Sequence, residues 1–249
     1  MTTETVPWLL AGVGALVGIP VARWLRWVTY RKPDEVDLPL PGSRWWVVPN
    51  LAISWWVLTW RVLASDAAQP GGGDPGADSP HAWLVHTIVL ATLLIVSLAC
   101  VCLAAMDFDV HRLPDRLMWP SMGVLLLGFL VAGVVAAAWG DMVRVVLAGL
   151  ACSAGYLALA LLSLARGSLA VGLGDVKLAG LLGMGLGWFG WQSVLVGMYA
   201  GFLVGGVFAI YLLVTRKTDR HGHLAYGPPM MVGAMLALLV APGALGSLF

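Results

Sequence analysis

Two acidic residues of this chain stand at the ends of long apolar segments, where a carboxylate is costly to hold. Asp107 directly follows the apolar run 82–106, and Asp175 closes the sequence Gly-Leu-Gly-Asp that begins at Gly172. Ionisable groups near membrane depth are rare and usually functional. Two carboxylates that share a water can do aspartic proteolysis, because one takes a proton from the water while the other polarises the scissile carbonyl. The residues therefore predict a water-activating pair, provided that the fold brings them together.

The surroundings of the two acids favour different roles for them. Asp175 begins a predicted helix and Asp107 ends one, so the helix dipoles favour an ionised Asp175 and a protonated Asp107. Gly172 and Gly174 give the backbone unusual freedom and remove side chains, which lets another chain or a water approach Asp175. Lys177 lies two residues further on, and it either keeps Asp175 ionised or anchors the helix at the membrane surface.

The connection 107–117 carries two further acids. Asp115 follows Pro114 and precedes the next apolar run, which predicts that it caps the first turn of that helix. Asp109 is either a solvated loop acid or a hydrogen-bond partner of its neighbours. Asp141 is expected to be an ordinary interfacial charge beside Arg144. The acids that fall in loops or in the N-terminal tail are expected to be solvated: Glu4, Asp34, Glu35, Asp37, Asp66, Asp74, Asp78 and Asp219.

The composition excludes a soluble domain. Of the 249 residues, 60% are hydrophobic and 11% are charged, whereas soluble domains carry about a quarter charged residues. The net charge of +1 gives no indication of a nucleic-acid partner. The three cysteines lie inside apolar runs without a CxxC pair, so neither a zinc site nor a disulfide framework is predicted. We expect no metal and no cofactor.

Apolar runs of about 20 residues are long enough to cross a bilayer. They predict an all-α, polytopic membrane protein with about eight transmembrane helices, of which the sixth is the shortest. The first run is interpreted as a retained anchor, because the N-terminus lacks the basic start of a cleavable signal peptide. The predicted spans lie near 7–29, 45–64, 82–106, 117–139, 143–165, 175–190, 192–215 and 228–247.

The basic residues fix an orientation for these spans. Of the 14 Lys and Arg residues, only Arg61 and Arg144 fall outside the first, third, fifth and seventh connections. The positive-inside rule therefore predicts that both termini are extracytoplasmic and that Asp107 and Asp175 lie near the cytoplasmic face. The basic residues of the first connection, Arg31, Lys32 and Arg44, are expected to contact lipid headgroups rather than a peptide.

Glycines and tryptophans indicate how the helices pack and sit in the bilayer. Glycines four residues apart let helix backbones approach closely, and they predict a compact bundle. Such glycines are Gly14 and Gly18, Gly183 and Gly187, and Gly197, Gly201 and Gly205. Tryptophans near the ends of the spans are typical of aromatic belts.

The segments around the two acids resemble the type IV prepilin peptidases, the GxGD-type intramembrane aspartic proteases of bacteria. Residues 107–117 are similar to the first motif of that family, in which an Asp is followed seven and eight positions later by Pro and by Asp or Asn. Residues 172–188 are similar to the second motif. Residues 225–229 are similar to the Pro-Phe-Gly-Pro segment, with Tyr where Phe is usual. The resemblance covers about residues 83–249.

The resemblance implies an intramembrane aspartic protease core over residues 83–249, with Asp107 and Asp175 as the catalytic pair. It implies cleavage of the N-terminal leader of a type IV prepilin or pseudopilin at the cytoplasmic face of the bacterial inner membrane. The partners would be that substrate helix and membrane lipids, without nucleic acid. The supporting residues in the matching motifs are Gly172, Gly174, Lys177, Asp109, Pro114, Asp115, Gly227 and Pro228.

Residues 1–82 depart from the pattern of that family and are predicted to form a separate two-span region. Many members carry paired CxxC motifs between the first two spans and also N-methylate the new terminus. The connection 31–44 contains no cysteine, which puts N-methyltransferase activity in doubt.

Two other classes of protein are compatible with a few acids in an apolar chain. Acids within membranes and glycine-broken helices also occur in proton-coupled transporters and channels. Against that alternative, no acid falls in the middle of a span and no inverted repeat is evident. A catalytically inert membrane scaffold that kept the fold is the third alternative.

Overall fold

The computed structural model describes residues 4–35, 41–64, 81–165, 172–215 and 226–240. Throughout these ranges the regular structure is helical, with eight α-helices and a short 3₁₀ helix at Pro33–Glu35. The predicted all-α fold and the number of helices are confirmed. The helices are α1 (Val6–Leu25), α2 (Val47–Ala64), α3 (Ala82–Val110), α4 (Asp115–Val135), α5 (Trp139–Ala165), α6 (Leu173–Gly187), α7 (Trp191–Val214) and α8 (Gly227–Leu239).

Five of these helices are long and apolar enough to cross a membrane, namely α1, α3, α4, α5 and the part of α7 over Trp191–Tyr211. The chain is therefore a multi-pass membrane protein. Two shorter apolar segments lie in α2 and α8. Helix α6 has 15 residues, which at 1.5 Å per residue is shorter than a hydrocarbon core of about 30 Å. The predicted sixth span is thus too short to cross the core on its own.

Pairs of helices pack through the glycines that the sequence spaces four residues apart. At Gly18 of α1, an added Cβ would stand 2.9 Å from the Cα of Val48 in α2. At Gly183 of α6, an added Cβ would stand 2.8 Å from the carbonyl oxygen of Ala148 in α5. Both distances are shorter than a normal carbon contact, so these backbones meet only because the side chain is absent. The predicted role of the glycines in helix packing is confirmed.

The pairing of α7 with α8 predicts a large loss of stability on substitution of Gly233. A Cβ at this position would overlap the backbone of Gly201 and lie 2.7 Å from the carbonyl oxygen of Gly197. Backbone atoms cannot rotate away, so Gly233→Ala is expected to cost about 1–3 kcal/mol and to lower the melting temperature in detergent. Gly206→Ala in α7 is the control, because no atom lies within 4 Å of its added Cβ. Equal melting temperatures for the two variants would contradict this packing.

Connections that are far apart in the sequence meet at one end of the bundle. Arg31, which follows α1, lies 2.8 Å from the carboxylate of Asp109 at the end of α3. Lys177 in the first turn of α6 lies 2.6 Å from the carboxylate of Asp115 at the start of α4. The residues after α1, the connection between α3 and α4, and the start of α6 therefore share one end, which is the end where the sequence concentrates the basic residues.

The two basic residues that the sequence assigns to the other end also lie together there. Arg144 at the start of α5 donates to the carbonyl oxygens of Gly187 and Trp188, at 2.7 and 3.0 Å. The guanidinium of Arg61 lies 4.9 Å from the ring centroid of Phe189. The antiparallel arrangement of the helices thus agrees with the charge pattern at both ends.

Among the tryptophans near the ends of the spans, Trp46 is only partly exposed and lines a cavity, and the predicted place in an aromatic belt is wrong for Trp188. That residue is fully buried, and its ring stacks on Phe129 with 4.8 Å between the centroids. It belongs to the core, because the end of α6 is covered by neighbouring helices. Exposed tryptophans near the ends of helices are Trp8, Trp45, Trp83, Trp119, Trp139 and Trp191.

Candidate active site

Asp107 lies in the last turn of α3 and is only 5% exposed. The helix ends three residues later because His111 adopts a left-handed conformation with φ of 50°. The N–H of His111 donates to the backbone carbonyl of Asp107 at 3.0 Å and closes the final turn. The apolar helix thus delivers a buried carboxylate to the end of the bundle where the connections meet.

Asp175 lies in the first turn of α6, three residues after the N-cap Gly172. Its carboxylate accepts the backbone N–H of Gly172 at 3.1 Å, the interaction that an acidic residue makes at this position of a capping box. Gly172 has ordinary extended angles, with φ of −80° and ψ of 156°, so its conformation does not require glycine. The absent side chain matters at Gly174, where an added Cβ would stand 3.3 Å from the side chain of Leu113.

The start of α8 contacts Asp107 of α3 and lies beside Leu178, one turn after Asp175 in α6. The backbone N–H of Gly227 donates to Oδ2 of Asp107 at 3.1 Å. A Cβ on Gly227 would stand 2.9 Å from the same oxygen and 3.4 Å from Leu178, which follows Asp175 in α6. Asp107 and Asp175 thus lie on two helices that both approach Gly227. Helices α3, α6 and α8 therefore bring the two predicted carboxylates into one site.

The contact with Gly227 adds a second helix dipole to the environment of Asp107. The N–H groups in the first turn of a helix carry a partial positive charge. Asp175 accepts such an N–H from the start of α6, and Asp107 accepts one from the start of α8. Asp107 therefore lies between the C-terminus of α3 and the N-terminus of α8, whereas Asp175 has only a helix N-terminus beside it, and an ionised Asp175 with a protonated Asp107 stays a prediction.

The prediction that Asp115 caps α4 is wrong. The N-cap position belongs to Pro114, and no side chain makes a capping hydrogen bond there. Asp115 instead accepts a hydrogen bond from Nζ of Lys177 at 2.6 Å. Lys177 also lies 5.6 Å from the ring centroid of Trp119. Its charge is therefore directed to Asp115, and the pair ties the two acidic motifs together at a partly exposed position.

Asp109 is a hydrogen-bond partner rather than a solvated loop acid. Its carboxylate accepts hydrogen bonds from Tyr30 and Arg31, and its side chain is only 5% exposed. The expected contact of Arg31 and Arg44 with lipid headgroups is wrong, because these side chains are 3% and 5% exposed and both lie beside Asp109. For Lys32, which is exposed, headgroup contact stays a prediction.

Glu35 is also not the solvated loop acid that the sequence predicts. Its carboxylate lies 3.0 Å from the guanidinium of Arg112, and its side chain is 17% exposed. Asp141 is paired with Arg144 at the other end of the bundle, as expected of an interfacial charge. The loop acids Asp37, Asp66, Asp74, Asp78 and Asp219 lie outside the described residues.

Sequence reasoning missed an aromatic group that joins α5, α7 and the residue before α8. Tyr156 of α5 is buried, and its ring lies 5.4 Å from that of Phe202 and 6.3 Å from that of Tyr226. The signal in the sequence is that Tyr156 is the single phenol of the apolar span 143–165.

A cavity of about 450 Å³ opens between α2, α3, α6 and α8. Its lining is mostly apolar and includes Phe108 and Pro228, which directly follow Asp107 and Gly227 in the chain. The buried Pro228 occupies the first turn of α8, where its missing N–H costs nothing. The cavity therefore lies in the apolar interior of the bundle, and two of its lining residues are the chain neighbours of Asp107 and Gly227.

Within the part of the chain that the structure describes, no three His, Cys, Asp or Glu side chains come together as metal ligands. Cys100, Cys102 and Cys152 are buried and not in disulfides, as the apolar runs around them predict. His221 and His223 lie outside the described residues.

The fold and the site are those of a helical membrane protein with two acids at one end of its bundle. The sequence comparison identifies its family. The chain belongs to the Type IV leader peptidase family, whose profile matches residues 81–210. The matched region includes Asp107, Asp109, Asp115 and Asp175 but not Gly227.

Curated relatives over the same part of the chain are named prepilin leader peptidase/N-methyltransferase. The proteins of Aeromonas salmonicida and Aeromonas hydrophila are each 33% identical over 138 residues. The protein of Stutzerimonas stutzeri is 31% identical over 141 residues. Each alignment covers 54% of this chain and 44% of the relative, so the chain matches less than half the length of these proteins. No solved structure matches the chain.

Proposed function

We propose that this protein is an intramembrane aspartic endopeptidase that cleaves the N-terminal leader of type IV prepilin-like proteins. The observation that carries the proposal is the meeting of Asp107 and Asp175 at one end of the bundle, where each carboxylate accepts a helix N-terminal N–H. Membership of the Type IV leader peptidase family supports the reaction class. The names of the relatives support a prepilin leader as the substrate.

The two carboxylates would share the work of peptide hydrolysis. Two neighbouring carboxyl groups hold one proton between them, because both cannot easily be ionised together. The ionised group takes a proton from water, and the protonated group donates to the oxygen of the scissile carbonyl. The resulting tetrahedral intermediate collapses when the leaving amine receives a proton from the site. Which acid holds the proton is a property of the pair rather than of one residue.

We place this site at the cytoplasmic face of the bacterial inner membrane. The basic residues concentrate at the end of the bundle that holds Asp107 and Asp175, and such residues face the cytoplasm in membrane proteins. Both termini would then be extracytoplasmic. A leader that is cut at this face stays in water, while the apolar helix that follows it remains in the bilayer.

The cavity beside the acids suits the apolar helix of the substrate. Phe108 and Pro228 line it together with residues of α2 and α8. In this proposal, a helix that enters from the lipid brings its N-terminal end toward the carboxylates. The proposal is limited to cleavage, with residues 83–249 as the protease core. N-methylation is left out because the connection 31–44 contains no cysteine pair.

Blocking the cavity is expected to weaken substrate binding. Ser54 of α2 lines the cavity and is buried, so Ser54→Phe would fill part of it. We expect KM for a helical prepilin substrate to rise about tenfold, with kcat unchanged because Ser54 is remote from the acids. Ser163→Phe in α5 makes the same change outside the cavity lining and should leave KM unchanged. An unaltered KM in Ser54→Phe would exclude this cavity as the binding groove.

Cleavage of a defined substrate tests the proposal. Purified protein in detergent is incubated with a prepilin-like peptide that carries a charged leader, a Gly and an apolar helix. Mass spectrometry is expected to show one cut after the Gly. In a parallel experiment the protein is placed in liposomes and proton flux is measured. Proton flux without cleavage of the peptide would contradict the protease proposal and favour the transporter alternative.

A further inference from the structure

The connection between α1 and α2 delivers a buried group of polar side chains to the end of α3. Arg31 donates through Nε and Nη2 to the two carboxylate oxygens of Asp109, at 3.0 and 2.8 Å. The hydroxyl of Tyr30 donates to Oδ2 of Asp109 at 2.7 Å. Arg44 lies 3.7 Å from Oδ1 and donates to the hydroxyl of Tyr30 at 3.1 Å. These four residues are called the Asp109 cluster.

The Asp109 cluster holds the end of α3 in a fixed position. A planar guanidinium that meets a carboxylate through two hydrogen bonds fixes both distance and orientation. The side chains of Arg31, Arg44 and Asp109 are at most 5% exposed, so water competes little for these bonds. Burial, and next the neighbouring Asp109, raise the pKa of Tyr30 to about 12, so its hydroxyl keeps its proton and remains a donor.

The Asp109 cluster is bonded to the helical turn that carries Asp107. Asp109 lies two residues after Asp107 in α3, and the helix ends at Val110. The last turn of a helix lacks part of its hydrogen bonds and frays unless something outside the helix holds it. The contact of Asp107 with the N–H of Gly227 spans 3.1 Å, so even a small movement of this turn would break it.

We propose that Arg31 and Arg44 are positioning residues, which hold Asp107 in place through Asp109. This inference rests on the proposed function, and it makes the connection between α1 and α2 part of the site. The family profile matches residues 81–210, so it includes Asp109 but neither arginine. The two helices that precede the matched region thus contribute to the geometry of the carboxylate pair.

A second ion pair in the same region supplies a matched control. Arg112 follows the end of α3 and lies 3.0 Å from Glu35, with side chains that are 32% and 17% exposed. The pair connects the same two segments of the chain as the Asp109 cluster. Its loss removes an arginine from that end of the bundle without breaking the bonds of Asp109.

The first test separates positioning from general stability by steady-state kinetics with the prepilin-like peptide. Arg31→Gln is expected to lower kcat about tenfold or more, with KM within about twofold of the parent. Arg31→Lys keeps the charge but loses the two-bond geometry, and it should fall between Arg31→Gln and the parent. Arg112→Gln should match the parent. An unchanged kcat in Arg31→Gln, or an equal loss in Arg112→Gln, would overturn the proposal.

The second test measures the stability of the same helical turn and does not depend on cleavage. Hydrogen exchange of the amides of residues 107–111 and of Gly227 is expected to speed up in Arg31→Lys and in Tyr30→Phe, which are mild enough to fold, but not in Arg112→Gln. Unchanged exchange in both mild variants would overturn the positioning role. A parent protein that exchanges as expected but does not cleave the peptide would overturn the proposed function instead.

Discussion

Replacement of Asp107 or Asp175 by Asn is expected to abolish peptide cleavage. Asn has nearly the same shape as Asp, but it can neither take a proton from water nor supply one to the scissile carbonyl. The cleavage rate should fall about 10³-fold or more in each variant. The measurement is the single-turnover rate with the prepilin-like peptide, at enzyme concentrations above KM.

Asp141→Asn is the matched control for this experiment. Asp141 is also an acid in the first turn of a membrane helix, but it is paired with Arg144 at the opposite end of the bundle. Its substitution should leave the cleavage rate unchanged. Substantial cleavage by either Asp107→Asn or Asp175→Asn would remove that residue from the chemistry.

Gly227→Ala is expected to have the second largest effect on cleavage. The added Cβ would stand 2.9 Å from Oδ2 of Asp107 and 3.4 Å from Leu178, so the carboxylate must move. A displacement of about 1 Å in a catalytic group costs about 10²-fold in rate. The measurement is kcat together with the melting temperature of the variant in detergent.

The control for Gly227→Ala is a glycine with open space around it. At Gly123 in α4, no atom lies within 4 Å of an added Cβ, and Gly123→Ala should keep both kcat and the melting temperature. Full activity in Gly227→Ala would show that the N–H of Gly227 does not fix Asp107.

The architecture was predictable because it depends on features that repeat along the chain. Apolar runs identify helices α1 to α8, and the basic residues concentrate in every second connection between them. This alternation already places Asp107 and Asp175 at the same end. The glycines at positions 18 and 183 indicated close helix pairs, because their spacing is a local property of one helix.

The partners of individual polar side chains were not predictable. Asp115 follows a proline at a helix start, where local rules favour a cap, yet it pairs with Lys177, which is 62 positions away in the chain. Asp109 pairs with Arg31 across 78 positions. Such bonds depend on which connections meet in three dimensions, and no pattern within one segment encodes this. The contact of Asp107 with Gly227 was not predictable for the same reason. Nearly every residue has a backbone N–H, so the residue type does not show which N–H donates to Asp107.

The central claim is that Asp107 and Asp175 act as one unit, and a double-mutant cycle tests it most directly. Single-turnover cleavage rates are measured for the parent, Asp107→Asn, Asp175→Asn and the double variant. Residues that act as a unit give strongly non-additive losses. We therefore predict that each single variant is as inactive as the double variant. Losses that multiply, with each single variant keeping measurable activity, would contradict a shared water-activating pair.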